Sequence, residues 1–325
     1  MAENSGIQWT DHTFNPWWGC TKVSPGCANC YAETLAVTRR KLPVWGPAPR
    51  FGRKLMSEGH WKGPEKWNRA AAAAGERHRV FCASMADVFD EHPDVTEPRA
   101  RLFDLIERTP HLDWQLLTKR PHRVLELVPP DWHDGFPSNV WLGTSVEDQQ
   151  RAEERIPILL QMPAAVRFLS CEPLLGPVDL DGNWGYAGSA TLDVLDEWPI
   201  DWVIVGGESG PGARPCNVEW IRSLVGQCRN AGTAVFVKQL GSRPCSNVIR
   251  WADPDRLSLG TIHDRKGGDP EEWPEDLRVR EFPTPLRRCR ACGCTDLDCR
   301  SCVEATGHPC YWVEGDLCSR CEARA

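Results

Sequence analysis

The chain has 325 residues, of which 41% are hydrophobic, and a formal net charge of −7 at pH 7. This length suffices for one large domain or two modest ones, and the negative charge excludes a general attraction for nucleic acid. No run of residues approaches the roughly 20 apolar residues of a membrane helix, and the start lacks the basic and apolar regions of a signal peptide. We therefore expect a cytoplasmic protein with no membrane partner, and the sequence leaves its oligomeric state open.

Sixteen cysteines stand out in this composition. Because thiols stay reduced in the cytoplasm, they indicate metal ligands rather than disulfides. Eight of them lie between Cys289 and Cys321, and three more lie close together near the start of the chain.

Short apolar segments alternate with helical segments from Ile7 to Leu240. Such an alternation predicts a parallel sheet that is buried on both faces. The predicted strands are Ile7–Thr10, Arg79–Ser84, Trp114–Thr118, Val140–Thr144, Val166–Ser170, Trp202–Gly206 and Ala234–Lys238. The predicted helices are Ala28–Lys41, Thr96–Arg108, Pro121–Leu127, Val146–Gln161 and Asn217–Ala231. For the last helix, Asn217 is a typical N-cap residue, and Gly232 is a typical residue at the C-terminal end.

Seven strands favour a parallel β/α barrel, complete or partly open, over a doubly wound sheet. A Gly-x-Gly-x-x-Gly motif after the first strand would support the doubly wound sheet, and the sequence lacks it. Asp179–Pro199 is interpreted as an insertion, Gly241–Arg288 as an extended return segment and linker, and Ala70–Ala74 only as a local helix former. The predicted fold class is α/β, with the barrel in residues 1–285 and a cysteine-rich metal-binding module in residues 286–325.

Residues 39–54 form a basic loop with six positive charges and no acidic residue. Trp45 and Phe51 lie within it. Basic and aromatic side chains together can hold a phosphate backbone and stack bases. A solvated loop without a ligand is the alternative.

The first strand leads into a loop with the spacing C-x6-C-x2-C, formed by Cys20, Cys27 and Cys30. Glycine and proline in the loop allow it to fold back so that three thiolates converge. Three thiolates with one open position suit a [4Fe–4S] cluster whose free iron takes another ligand. The alternative is a structural zinc site, which needs four protein ligands and would use His12 as the fourth.

At these residues the sequence resembles the radical S-adenosylmethionine superfamily, and within it the phage and prophage three-cysteine-motif proteins, a family of unassigned function. The resemblance implies a cluster on the three cysteines, S-adenosylmethionine bound to its free iron, a radical that abstracts hydrogen from a substrate, and an electron donor. The segments that carry it are Asn15–Cys20, Cys27–Glu33, Phe168–Leu174, Val205–Gly210 and Phe236–Gln239.

The cofactor-binding candidates come from the same comparison. The superfamily usually has C-x3-C-x2-C with an aromatic residue before the third cysteine, where this chain has Asn29. Tyr31 or Trp18 could supply that aromatic contact. The superfamily's Gly-Gly-Glu-like stretch follows the second strand, where this chain has Ser84 to Asp87, so Ser84 and Asp87 are candidates. Here the literal Gly-Gly-Glu follows the sixth strand.

Polar residues after the predicted strands complete the candidate site, because the carboxyl ends of barrel strands converge on one face. Ser145 and Glu147 are further cofactor-binding candidates, with capping of the next helix as the alternative. The catalytic candidates are Cys171, Glu172, Glu208 and Lys238. A structural Glu–Lys ion pair is the alternative for these, and strand alternation can direct Cys171 and Glu172 to opposite faces.

The tail contains paired C-x2-C motifs, in which Cys289, Cys292, Cys318 and Cys321 would form a four-thiolate zinc site. So short a module needs metal to supply folding energy. An auxiliary iron–sulfur cluster is the alternative. A second zinc could bind to Cys294, Cys299, Cys302, Cys310 and His308.

Two functions remain open at this point. The first is a radical S-adenosylmethionine enzyme, phage-related, that modifies a nucleobase, a nucleic acid or a related metabolite. The second is a non-catalytic zinc protein that binds DNA or a phage protein. The substrate and the atom attacked cannot be read from the sequence.

Overall fold

A computed structural model describes residues 3–180, 200–246, 262–284, 289, 291–292, 294, 299–314 and 317–323. Most of the predicted insertion Asp179–Pro199 and parts of the return segment Gly241–Arg288 lie outside these residues. Within the described residues, no helix is both long enough and apolar enough to cross a membrane.

The central element is a curled half-barrel of seven parallel strands whose order in the sheet follows the chain. The parallel α/β fold predicted from the sequence is confirmed in its partly open form. The strands are β1 (His12–Phe14), β2 (His78–Cys82), β3 (Leu112–Thr118), β4 (Val140–Ser145), β5 (Val166–Cys171), β6 (Trp202–Gly206) and β7 (Ala234–Gln239).

The first strand was predicted at Ile7–Thr10, and this position is wrong. Strand β1 begins at His12, where it pairs with Val80. The Thr10 hydroxyl accepts a hydrogen bond from Phe81 N at 3.0 Å, and Asp11 Oδ2 accepts one from Arg79 N at 2.8 Å. Side chains therefore bind the backbone of β2 before the strand ladder starts.

Four long helices cover the outer face of the sheet. They are α1 (Glu58–Ala74), α2 (Thr96–Glu107), α3 (Gln149–Leu159) and α4 (Val218–Ala231). Shorter α-helices lie at Tyr31–Glu33, Val124–Leu127, Arg300–Thr306 and Ser319–Glu322, and a π-helix lies at Thr34–Arg39. Short 3-10 helices lie at Pro25–Cys27, Pro93–Val95, Pro121–Arg123, Pro130–Trp132, Pro270–Glu272 and Glu275–Leu277.

Helix α1 is the element that the sequence analysis missed, apart from Ala70–Ala74. Two glycines and a proline in its first half hide the helical pattern. Its buried residues are spaced three or four apart and form one face toward the sheet: Trp61, Pro64, Trp67 and Ala71.

The ends of α3 and α4 test the predicted caps. Asn217 caps α4 and Gly232, with φ of +70°, ends it, as predicted. Helix α3 begins at Gln149, and Asp148 caps it by accepting a hydrogen bond from Arg151 N at 3.0 Å. Capping by Ser145 or Glu147 is therefore wrong.

The concave side of the sheet is filled by aromatic rings in its lower half. Trp9, Trp141, Phe168, Trp202 and Phe236 are buried there in one cluster. Gly143 makes room for it, since a Cβ at this position would lie 2.5 Å from the Phe168 ring. Most of the polar side chains of the candidate site lie above this cluster, at the carboxyl end of the strands.

The open edge of the half-barrel is covered by part of the return segment. Glu281 N donates to Val235 O at 2.9 Å, so this segment runs along β7. Phe282 contacts the Trp202 and Phe236 rings, and the Arg79 guanidinium lies 4.1 Å from its centroid. The segment therefore joins β7 to β2 across the opening.

Candidate functional site

Strand alternation directs a set of polar side chains toward the concave side at the carboxyl ends of the strands. In β6, Trp202 and Ile204 face the inner cluster, while Val203 and Val205 face the helices. The same two-residue period continues past the strands. It places Lys119, Ser145, Glu147, Glu172, Glu208 and Lys238 at the mouth of the half-barrel.

The three-cysteine loop lies over this mouth and is bound to it on several sides. Ser24 Oγ donates to Glu147 Oε1 at 2.5 Å, and Arg120 Nη2 donates to Thr21 O at 2.7 Å. Gly26 approaches closely, because a Cβ there would lie 2.6 Å from Glu147 Cγ. The loop is thus fixed against the strand ends that were predicted to form the site.

Glu208 is one of the groups that fix the loop. Its carboxylate accepts hydrogen bonds from Asn29 Nδ2 at 2.9 Å and from the Arg214 guanidinium at 2.5 and 2.9 Å. Arg214 Nη1 also donates to Pro25 O at 3.0 Å. Burial alone would raise the pKa of Glu208, but the hydrogen bonds and the charge of Arg214 outweigh it and lower that pKa below its usual value.

Glu147 has a similar structural environment. It is fully buried, and besides Ser24 it binds Arg155 Nη1 at 2.9 Å. Ser145 is also buried, and its hydroxyl accepts a hydrogen bond from Lys119 Nζ at 2.9 Å. Both predicted cofactor-binding residues therefore already have protein partners in this structure.

Glu172 and Lys238 form an ion pair in the mouth, with Nζ 2.7 and 2.8 Å from the two carboxylate oxygens. Gln239 Nε2 donates to the same carboxylate at 2.9 Å. The Glu172 and Lys238 side chains are 16% and 21% exposed, so the pair is still accessible to a ligand. Glu172 and Lys238, both predicted as catalytic residues, thus also form the Glu–Lys ion pair that was the structural alternative.

Asp87 lies below the loop in a buried network. Its oxygens accept hydrogen bonds from Thr118 Oγ1 at 2.8 Å, Lys119 N at 3.2 Å and Arg120 Nη1 at 2.8 Å. Arg120 in turn directs Nη1 toward Cys20 Sγ at 3.7 Å. The structure therefore places Asp87 as a support of Arg120 rather than as a group with free oxygens.

Ser84 and Tyr31 contact each other beside the mouth. Tyr31 OH donates to Ser84 O at 2.7 Å, and Asn15 Nδ2 donates to Ser84 Oγ at 3.0 Å. The Tyr31 residue is nevertheless 56% exposed. Tyr31 directly follows Cys30 in the chain, and its hydroxyl is fixed by the bond to Ser84.

Cys171 and His12 do not belong to the site. Cys171 is fully buried in the core between sheet and helices, opposite to the mouth, and burial raises the pKa of its thiol. The catalytic role predicted for Cys171 is therefore wrong, because its thiol does not face the mouth. His12 Nε2 lies 3.1 Å from His78 Nδ1, and its ring stacks on Trp67 on the outer face. It is not a fourth ligand for the cysteine loop.

The spacing of the loop thiols differs from that of a zinc site. A zinc ion holds thiolates at about 2.3 Å, which places neighbouring sulfurs roughly 3.8 Å apart. In the described part of the chain, Cys20, Cys27 and Cys30 do not form a set whose sulfurs all lie within 4.8 Å of one another.

Burial affects the protonation of two of these thiols. It raises the pKa of Cys20 to about 12, with a further rise from the Asp87 charge, and it raises the pKa of Cys30. Such thiols are protonated at neutral pH unless a metal displaces the proton.

The basic loop is only partly available to a ligand. Arg53 is buried and paired with Asp90 at 2.8 Å, and Trp45 is buried against the cysteine loop. Stacking of a base on Trp45 is therefore wrong. Five cationic side chains of the loop are exposed: Arg39, Arg40, Lys41, Arg50 and Lys54.

The tail brings its eight cysteines together in two sets of four, and within each set all sulfurs lie within 4.8 Å. The predicted set is Cys289, Cys292, Cys318 and Cys321, and the second is Cys294, Cys299, Cys302 and Cys310. His308, a suggested ligand of the second set, is exposed and outside it. Both sets could hold a metal ion.

Residues 4–266 match the family model described as "Protein of unknown function (DUF5131)". The chain belongs to this family. No curated protein matches it. A solved structure of a spore photoproduct lyase mutant with bound AdoMet and dinucleoside spore photoproduct is similar with a TM-score of 0.39 and 14% identity. That match covers 61% of this chain and 56% of the other, little more than half its length, and at this TM-score it does not establish a shared fold.

Several site residues of this DUF5131 protein were not predicted as such. Asn29 was named only for its position before the third cysteine, and Lys119, Arg120 and Arg214 were not among the predicted site residues. The available signal was position, because Lys119 and Arg120 directly follow β3 at the same edge as the predicted acids. Arg214 lies in a segment between β6 and α4 and gave no comparable signal.

Proposed function

We propose that this DUF5131 protein is an iron–sulfur enzyme of the radical S-adenosylmethionine type. The observation that carries the proposal is the loop of three thiols, fixed by Glu147, Glu208 and Arg120 over the polar mouth of a parallel half-barrel. Three protein thiolates leave one iron of a four-iron cluster open to a ligand from the mouth.

The residues fit such a cluster by the chemistry of the donor set. Cys20, Cys27 and Cys30 are soft thiolate ligands, three of them leave one iron of a four-iron cluster open, and His12 is turned away. With S-adenosylmethionine bound, the cluster would supply one-electron chemistry that yields a carbon radical. An external electron donor would be required.

The accessible mouth residues suggest the roles of the protein itself. The exposed ring of Tyr31 can stack on a base or adenine, and Lys238 with Glu172 can bind a carboxylate, a phosphate or substrate N–H groups. The five exposed cations beside the loop favour a polyanion. We therefore propose a nucleobase, nucleic acid or related metabolite as the substrate class, with a phage association resting only on the sequence motifs.

We further propose that residues 286–325 form a separate zinc module. Sulfurs lie as close as 3.0 Å (Cys299 to Cys310) in one set and 3.5 Å (Cys292 to Cys318) in the other, and all four of each set lie within 4.8 Å, so that each set can close around one zinc ion. Zinc in this module is also compatible with the alternative function, a non-catalytic zinc protein. The metal bound by the three-cysteine loop distinguishes that alternative from the iron–sulfur enzyme.

The test is anaerobic reconstitution of the full chain with iron and sulfide, followed by measurement of iron, zinc and absorbance. We expect a brown protein with about four irons that cleaves S-adenosylmethionine when reduced. Cys20→Ala, Cys27→Ala and Cys30→Ala should each lose the iron and keep the zinc. Cys245→Ala, a partly exposed cysteine outside the site, is the matched control and should keep both.

Two outcomes would contradict the proposal. A colourless wild-type protein that takes up zinc on the loop would support the non-catalytic alternative. Iron that persists when all three loop cysteines are replaced would place the cluster elsewhere in the chain.

A further inference from the structure

Cys20 differs from the other loop cysteines in its contact with a buried cation. Arg120 Nη1 lies 3.7 Å from Cys20 Sγ, within the range of an N–H···S hydrogen bond. The Arg120 side chain is only 5% exposed. A guanidinium cannot lose its proton near neutral pH, so this donor is permanent.

The direction of this donor is fixed by the surrounding residues. Asp87 Oδ2 binds Nη1 at 2.8 Å, Thr21 O accepts from Nη2 at 2.7 Å, and Asp90 Oδ1 lies 3.5 Å from Nη2. The opposite side of Asp90 is held by Arg53 at 2.8 Å. Three groups, Asp87, Thr21 and Asp90, therefore hold the guanidinium plane, and rotation away from the sulfur would break charge-assisted bonds.

The network contains two guanidinium groups and two carboxylates, so its formal charges cancel. What it offers to Cys20 is then a directed N–H rather than a net positive field. Arg53 shares Asp90 and reaches Thr21 Oγ1 at 3.0 Å. The Arg53 guanidinium donates to oxygens, whereas that of Arg120 also reaches a sulfur, so Arg53 serves as an internal comparison for Arg120.

We propose that Arg120 is a positioning residue that sets the reduction potential of the cluster through its N–H bond to the Cys20 thiolate. This inference rests on the proposed function. A hydrogen bond to a ligand sulfur stabilises the reduced cluster, which carries one more negative charge, and so raises the potential. The arginine thereby controls how readily an electron enters from a donor.

The experiment is a reductive titration of the reconstituted full chain with dithionite, in which the cluster gains one electron and its EPR signal is followed. Arg120→Lys keeps the charge and loses the planar donor. We expect its equilibrium constant for reduction to fall at least tenfold, which is 59 mV toward lower potential for a one-electron couple. Arg53→Lys weakens the same network without removing the sulfur contact. The reduction potential of this variant should differ from that of the wild type by only a small fraction of the shift expected for Arg120→Lys.

Asp87→Asn gives a second, opposite test. It keeps the Arg120 donor and removes one neutralising carboxylate, so the potential should rise. If Arg120→Lys fails to assemble a cluster, the reduction potential of Asp87→Asn tests the inference instead. Unchanged potentials in the variants that retain four irons would overturn the inference and make Arg120 purely structural. A wild-type protein without iron would instead refute the proposed function, so the two failures are distinguishable.

Discussion

The replacement Glu147→Gln tests whether this residue holds the fold or binds a cofactor. The carboxylate is fully buried and paired with Arg155 Nη1 at 2.9 Å, and the Arg155 side chain is 7% exposed. Removing one partner of a buried ion pair costs about 3–5 kcal/mol, because the remaining charge is left uncompensated. Arg155 keeps its bond to Ser145 O at 2.8 Å, which favours the lower end of that range.

The change in melting temperature follows from this free energy. For a domain of this size each kcal/mol lowers the melting temperature by about 2–4 °C, so a loss near the lower end corresponds to roughly 6–12 °C. Thermal unfolding of the protein without iron, followed by circular dichroism, measures this change. Glu154→Gln, on helix α3 beside the partner Arg155, is the control, since Glu154 is exposed, and it should change stability by less than about 0.5 kcal/mol.

The result that would refute this reasoning is equally specific. If Glu147→Gln melts like the control and loses S-adenosylmethionine binding, the carboxylate is a cofactor ligand, as the sequence first suggested. If it melts early and the folded fraction still binds the cofactor, the residue supports the loop through Ser24.

Three further predictions concern other residues. Lys238→Met should keep the iron and weaken binding or cleavage of S-adenosylmethionine or substrate at least tenfold, measured in reconstituted protein; normal cleavage with only a lower melting temperature would make the Glu172 pair structural. The folded-state pKa of Glu208 lies below its usual value of 4.5, so its bond to Arg214 stabilises the protein above that pH and the contribution is lost as the pH falls further. The stability difference between wild type and Glu208→Gln should therefore shrink in acid, and a constant difference would contradict this. Truncation after Arg287 should remove zinc and leave a soluble half-barrel, whereas an insoluble product would mean that the tail is integral to it.

The fold was predicted best where burial on both faces gives the sequence a continuous apolar run. Trp202–Gly206 was predicted with the bounds that β6 has, and α4 was predicted within one residue. The errors lie where side chains replace backbone partners, as at Thr10, or where glycine and proline occur inside a packed helix, as in α1. In both places a tertiary contact overrides the local pattern.

The site was predicted as a set of positions and not as a set of contacts. Strand alternation identifies which residues face the mouth, so Glu147, Glu172, Glu208 and Lys238 could be named in advance. Their partners lie far away along the chain: Asn29 is 179 residues from Glu208. One sequence contains no record of such pairings, and the roles assigned to these acids changed once the contacts were known.

The partners of the acidic residues at the mouth indicate which of them hold the structure and which can bind a substrate. Three of the predicted acids are neutralised by arginines, namely Asp87 by Arg120, Glu147 by Arg155 and Glu208 by Arg214. A planar guanidinium binds a carboxylate through several fixed bonds, so these pairs suit the rigid attachment of the loop. Glu172 is paired with a lysine instead, and an ammonium group on a flexible stem can exchange its partner at a lower cost. Of the four acids, Glu172 is therefore the one whose pairing a substrate can replace, and Lys238 is the group best placed to move toward an incoming anion.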